Sequence, residues 1–348
     1  MKNQKSKIKN QRLNLKSKTF NFAFALVIFT FAFLLLPLRP AHAQSVDLGI
    51  YPPVFQIQTT PPTSVKAPFF VQNLSDSAVG LTISLKPFTA APEENGTISF
   101  LNDLSSYPDP SLLQRIQVFD GDQSIQTLTL APQQKKDLEL EVEIPNDEVK
   151  GEYYISLIFT SNNQNNINSS VSQATAGIAS NILLSVGPLG PTTGYIDDFS
   201  APPFVVKGPL PLTVSVKNTS DHYITPKGDI VITNMFGQNV GKINLLSVNI
   251  LSNTVRRIPD SAQSNPDSKD YQTIKAIVDK NQYPVAVWPE KLLIGPYTAN
   301  LTIALSDTGP LFKKSIVFFA FPTEYLLGLL AIIIVIIFII LRVRQKIS

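Results

Sequence analysis

Two short motifs recur in this 348-residue chain at nearly the same spacing, and that repetition limits the possible folds more than any other feature. Val71-Gln-Asn-Leu-Ser-Asp-Ser-Ala-Val79 is echoed by Val216-Lys-Asn-Thr-Ser-Asp-His-Tyr-Ile224, an offset of 145 residues. Gly151-Glu-Tyr-Tyr-Ile-Ser-Leu-Ile-Phe159 is echoed by Gly295-Pro-Tyr-Thr-Ala-Asn-Leu-Thr-Ile303, an offset of 144. Two independent motifs repeating at one distance point to two copies of a single fold.

Each copy reads as strand, turn, strand. Pro68 to Asn73 enters a turn in which Asn73, Ser75 and Asp76 can bond their own backbone, and Val79 to Leu85 returns. In the second copy Leu212 to Lys217 alternates inward and outward side chains, Asn218 to Asp221 turn, and Gly228 to Thr233 returns. Thr127 to Leu130 and Asp137-Leu-Glu-Leu-Glu-Val-Glu-Ile144 are further strands, the latter with Asp137, Glu139, Glu141 and Glu143 on one solvated face. Tyr153 and Tyr297 hold equivalent places at the start of a strand, where sandwich domains use a tyrosine to bond back to the preceding corner. Val186 to Gly194 is a proline- and glycine-rich linker between the copies, and Asn162 to Gln173 is a polar loop. The segment Ser261 to Gln282 reads as an insertion holding a short helix, with Tyr271, Ile274, Ile277 and Val278 at helical spacing.

Two apolar segments bracket this body. Seven positive charges precede residue 19, an apolar stretch runs from Phe20 to Leu36, and Ala41-His-Ala43 offers a small-x-small cleavage site before Gln44, so residues 1–43 are expected to be a signal peptide. The alternative is an uncleaved anchor. Tyr325 to Leu341 is an uncharged run of 17 residues followed by Arg342, Arg344 and Lys346. As a helix it would be roughly 26 Å long, near the short limit for spanning hydrocarbon, with the basic tail 342–348 cytoplasmic and the body outside. Of the 29 basic residues, eight lie before residue 44 and three after residue 341, which leaves 18 against 26 acids in the body. That surplus of negative charge argues against nucleic acid as a partner. With no cysteine, the exported body must be held by its cores alone.

The order of these parts resembles that of the bacterial WxL-interacting proteins, which have a signal peptide, two immunoglobulin-like domains, one membrane helix and a basic tail. The first domain is similar to the family's peptidoglycan-binding unit in Ser45 to Pro53, in the Val71-Gln-Asn73 turn and in Ile144-Pro145 to Tyr153. The second is similar to its partner domain in Asn249 to Arg256 and in Pro289 to Leu305. The resemblance implies binding of peptidoglycan or of another exported protein.

Catalytic chemistry has little to work with. Once the signal is removed His222 is the only histidine, and it is expected to be a surface turn residue. The pairs Glu93-Glu94, Asp147-Glu148 and Asp197-Asp198 diverge on strands, and Asp120-Gly-Asp122 reads as a hairpin turn and not as a calcium loop. Asn-x-Ser/Thr triplets at Asn73, Asn95, Asn168, Asn218 and Asn300 read as incidental to turns and strands rich in these residues. Trp288 is expected in the core. No catalytic, cofactor-binding or metal-binding residue is therefore assigned, and no cofactor is expected.

The sequence thus predicts an all-β protein: an immunoglobulin-like sandwich over 44–188, a linker at 189–194, a second sandwich over 195–310, a stalk from Ser306 to Glu324, and a transmembrane helix over 325–341. It would be a non-enzymatic binding or adhesion protein of the cell surface, held in the membrane by a single pass. Its partner would be a cell-wall polymer, peptidoglycan, or an exported protein. A carboxylate-dependent glycosidase or its accessory domain, and an accessory subunit of a membrane complex, are the other readings.

Overall fold

The computed structural model describes residues 46–105, 107–162, 176–323, 328, 332–339 and 342. The expected signal peptide and most of the polar loop lie outside the described residues. Alternating side chains dominate the rest, and they pair into four sheets around two cores.

In the first sandwich, one sheet contains β1 (Leu48–Tyr51), β3 (Thr63–Asn73), β9 (Lys135–Ile144), β6 (Ile116–Asp120) and β7 (Gln123–Ile125), in that order. The facing sheet runs β2 (Val54–Thr59), β11 (Gly177–Val186), β10 (Gly151–Ser161), β4 (Val79–Ala90) and β5 (Ile98–Phe100), with β8 (Thr127–Leu130) also on β4. Strand β9 buries Leu138, Leu140, Val142 and Ile144 and turns its acids outward, where Lys66 lies between Glu139 at 3.0 Å and Glu141 at 3.5 Å. Two prolines sit inside strands without breaking them. Pro68 lies in the part of β3 that β1 does not reach, and Pro87 lies between the stretches of β4 paired by β8 and by β5. Neither position needs an amide hydrogen for a second neighbour.

The second sandwich repeats this plan. One sheet joins β12 (Gly194–Ser200), β14 (Leu210–Asn218) and β17 (Val255–Arg257), with β18 (Ala286–Trp288) on β14. The other runs β13 (Phe204–Val205), β20 (Leu311–Ala320), β19 (Gly295–Ala304), β15 (Lys227–Asn234) and β16 (Asn239–Asn244). Equivalent pairings recur throughout: β3 with β9 and β14 with β17, β4 with β10 and β15 with β19. The last strand of each copy also takes a short parallel partner, β11 with β2 and β20 with β13. This is the strand pairing of an immunoglobulin-type sandwich.

The repeated motifs have one physical job in both copies. Asn73 is fully buried and its amide donates to the carbonyls of Ser77 (2.7 Å) and Ala131 (2.9 Å), while its oxygen accepts from the Ser75 amide at 3.0 Å. Asn218 does the same with the carbonyls of His222 (2.8 Å), Ile250 and Leu251 (both 3.0 Å), and with the Ser220 amide at 2.8 Å. One side chain thus satisfies the backbone of two loops that would otherwise carry buried, unpaired carbonyls. The tyrosines also serve as corners. The Tyr153 hydroxyl lies 2.7 Å from the Val149 carbonyl and 2.8 Å from the buried Glu148 carboxylate, which is paired with Arg115. The Tyr297 hydroxyl instead accepts from the Ile294 amide at 3.1 Å.

The insertion forms the helix α1 (Tyr271–Asn281), which ends at Gln282 in the left-handed conformation. Its Ile274 is buried with Val285 and Val287 in a small satellite cluster. The C-terminal boundary of the second sandwich differs from expectation. Leu311–Ala320 is not stalk: β20 pairs along its whole length with β19, from Ala304↔Leu311 to Gly295↔Ala320, and contributes Phe318 and Ala320 to the core. The second sandwich therefore runs to residue 320, beyond the expected limit of 310. Among the described residues no helix is long and apolar enough to cross a membrane. Residues 332–339 are helical, and most of the rest of the expected span 325–341 lies outside the described residues.

Candidate functional site

Both sandwiches fall within one compact unit, Val46–Ser348, and a concavity lies where they meet. The hairpin β4–β5 supplies one wall. Its turn is shaped by Asn95, whose side-chain oxygen accepts from the Thr97 amide (2.9 Å) and hydroxyl (2.7 Å), and it passes through Gly96 at φ +91°. The loop between β16 and β17 supplies the other wall with Asn249, Leu251 and Thr254, and β17 itself adds Val255 and Arg256. Phe88, Leu183 and Val54 form an apolar floor. The enclosed space is small, about 80 Å³, the size of a carboxylate with one or two carbons attached.

Direct bonds fix the two walls relative to each other. The Arg257 amide donates to the Glu94 carbonyl at 2.7 Å, Gln56 donates to the Asn249 side chain at 3.1 Å, and the Ser252 amide donates to the Tyr154 hydroxyl at 3.1 Å. Glu152 of the first sandwich accepts from the Tyr223 amide of the second at 3.4 Å. Burial pushes the Glu152 carboxyl up from its ordinary range, opposed by hydrogen bonds from Ser185 and the Tyr223 amide.

The chemistry of the pocket centres on Arg256. Its guanidinium packs directly against Gly96, whose φ of +91° is a conformation that side-chain-bearing residues rarely adopt. One Nη donates to the Asn249 carbonyl at 2.6 Å, whereas Nε is buried and without a partner among the described residues. Burial lowers the Arg256 pKa. The neighbouring Arg257 has the opposite character, with its Nε 4.0 Å from the Glu94 carboxylate and its guanidinium over the Tyr283 ring. A half-enclosed guanidinium with an unpartnered Nε is suited to a carboxylate, which accepts two parallel N–H bonds.

The other residues singled out from sequence go elsewhere. His222 is in the expected turn but is buried, not at the surface: Nδ1 lies 2.8 Å from Asp221 and Nε2 3.3 Å from the Thr192 hydroxyl. Trp288 is buried and packs edge-on against Tyr297. Asp120 and Gln123 pair around Gly121 at φ +61°, a hairpin turn as expected. Among the carboxylate pairs, Glu148 is buried beside Arg115 while Asp147 is exposed, so the two diverge. Of the glycan triplets, Asn73 and Asn218 are fully buried, Asn300 bonds within its sheet to Ser315, and Asn168 lies outside the described residues. Nothing in the sequence marks Arg256: it lies inside the passage Asn249 to Arg256, and only the approach of Gly96 and Glu94 from the other sandwich gives it a setting.

Comparison with known proteins adds one family. Residues 53–176 match the family model described as WxL Interacting Protein, peptidoglycan binding domain. The resemblance read from the sequence is thus found by this model, and the matched stretch supplies the β4–β5 wall of the pocket. Among curated proteins nothing matches. Solved structures are similar at low identity. They include the Class 5 fimbriae chaperone CfaA, at 12% identity over 79% of this chain and 100% of that one with a TM-score of 0.35. Another is the E. coli chaperone DraB, at 10% identity over 77% and 96% with a TM-score of 0.33. A third is the PapD-like domain 7 of human CEP192, at 10% identity over 41% and 87% with a TM-score of 0.27.

Proposed function

We propose that the chain is a membrane-held, non-catalytic binding protein of the cell surface whose first sandwich binds peptidoglycan. The match of residues 53–176 to a peptidoglycan binding domain carries this reading. An exported protein of the WxL kind, named in the same description, is its second partner. The membrane attachment is supported by the apolar run Tyr325 to Leu341 with basic residues after it, and by residues 332–339, a helical stretch in which every side chain is apolar and 46–62% exposed. A helix apolar on all sides has no place in water. The body then lies outside and the basic tail inside.

At the junction pocket, Arg256 takes a carboxylate of the peptide part of the polymer, and the floor of Phe88 and Leu183 takes the carbon attached to it. The pocket lining holds a single carboxylic residue, Glu94, whereas glycoside hydrolysis by an acid and a base would need two facing each other. Binding is thus favoured over cleavage here. The test is co-sedimentation of the protein with isolated cell-wall sacculi, alongside the Arg256→Met variant. Retention of the parent and about ten-fold weaker retention of the variant are expected, the loss of one charge-assisted bidentate contact. Competition separates this from a loosened junction: a short peptide with a free C-terminal carboxylate should displace the parent, and its amide should not. A folded parent that fails to sediment with sacculi would overturn the reading.

A further inference from the structure

One end of the second sandwich is apolar where a water-facing protein end would be polar. Strand β20 ends at Ala320 opposite Gly295, the first residue of β19, and Tyr297 is opposite Asn234, the last residue of β15. The turn after β15, the loop before β19 and the chain leaving β20 therefore emerge at the same end. The turn presents Met235 and Phe236, and the loop presents Leu292 and Ile294, all four 57–76% exposed. Beside them Phe319 stacks on Phe204 at 6.0 Å and on Phe321 at 6.3 Å. Lys207 and Lys291 line a cleft of about 340 Å³ at this end together with Leu292 and Pro322, and Glu290 is the neighbouring acid. The opposite end of the sandwich carries the Lys227–Asp307 ion pair, with Leu311 and Tyr195 exposed near it.

We infer that this apolar end is a lipid-contacting surface, seated in the headgroup layer of the membrane that holds the C-terminal segment. Continuity of the chain identifies the occupant. From Phe321, on the apolar end itself, only ten residues separate the sandwich from the apolar helical stretch 332–339, so whatever surrounds that stretch lies within reach of Phe236 and Leu292. Aromatic and branched side chains flanked by lysines are the composition of an interfacial anchor: rings and aliphatic chains enter the acyl boundary while the ammonium groups stay among phosphates. Exposed apolar patches of this kind mark contact surfaces, and the membrane is the contact that the course of the chain brings within reach. The consequence is mechanical. The second sandwich stands directly on the bilayer, without the stalk over Ser306 to Glu324 that the sequence predicts, and it fixes how far the junction pocket stands from the membrane.

This inference rests on the membrane reading of Tyr325 to Leu341, and a test can separate the two because the chain has no cysteine. Single-cysteine variants of the full chain, Phe236→Cys, Ile336→Cys and Ser124→Cys, are labelled with an environment-sensitive fluorophore and reconstituted in vesicles containing phosphatidylglycerol. Lipids carrying a quencher near the headgroup are then added. The probe at 236 should lose about half its emission or more and shift to the blue, whereas the probe at 124, in the first sandwich, should do neither. Quenching at 336 without quenching at 236 would overturn the inference and leave the anchor intact. A blue shift at 236 without lipid quenching would assign that end to a protein contact and overturn it equally. Failure of quenching at both 236 and 336 would overturn the anchor and the inference together.

Discussion

At the scale of single residues, stability depends on a few buried polar side chains that repeat between the copies. Tyr153 is fully buried, and its one hydroxyl proton is shared between the Val149 carbonyl and the Glu148 carboxylate. Tyr153→Phe keeps the ring and leaves those acceptors short of a donor, which should cost about 1–3 kcal/mol. Tyr297→Phe should cost less, because its hydroxyl relieves one amide at the margin of the sandwich. Denaturant unfolding of the two variants would measure this, and an equal cost would mean that the Glu148 contact contributes nothing. The sequence makes both tyrosines visible as equivalent positions. It does not show that one donates and the other accepts, since that depends on which loop carries a buried carboxylate.

Among the elements, β20 changes the account most. Its ten residues pair with β19 and close the second core, yet its sequence, Leu-Phe-Lys-Lys-Ser-Ile-Val-Phe-Phe-Ala, alternates poorly and reads as a stalk. The reason is its surroundings. Its outer face carries Lys313 and Ser315 but also Val317 and Phe319, apolar and exposed, so the polar side usual in such a strand is incomplete. A chain ended after residue 310 should therefore fail to unfold cooperatively in its second half, whereas one ended after residue 323 should unfold as the parent does. Calorimetry distinguishes them; two matching transitions would return β20 to the stalk. The β9 strand is the opposite case. Alternation of acid and apolar residues over Asp137 to Ile144 specifies both its faces, and the structure adds only the cross-strand partner Lys66.

For the whole molecule, the junction bonds the two sandwiches to each other and leaves a mark in pH dependence. Glu152 is buried there, so its folded pKa is raised above the ordinary value of 4.5. Below that value the carboxyl is protonated in both folded and unfolded chains and burial costs nothing. As pH rises through the window between the unfolded and the folded pKa, the unfolded chain releases its proton first and stability falls. Glu152→Gln removes that penalty while keeping an oxygen for the Tyr223 amide. Its midpoint of thermal unfolding should equal the parent's at acid pH, exceed it near neutrality, and the gap should open within that window. Parallel curves across the range would show that the junction does not bury the carboxylate.

The sequence by itself determined the duplicated strand order, the turns built on Asn73 and Asn218, the paired tyrosine corners and the short insertion helix. These follow from local signals, the two-residue alternation of strands and turn residues that bond their own backbone, which need no distant partner to be recognised. It also carried the family resemblance that the match over residues 53–176 bears out. The tertiary structure alone decided the burial of His222, the place of β20, the apolar end around Phe236 and the pocket in which Arg256 lies against Gly96. Each of these depends on which residues from far apart in the chain are brought together, and on how much water is left between them, and no local pattern records either quantity.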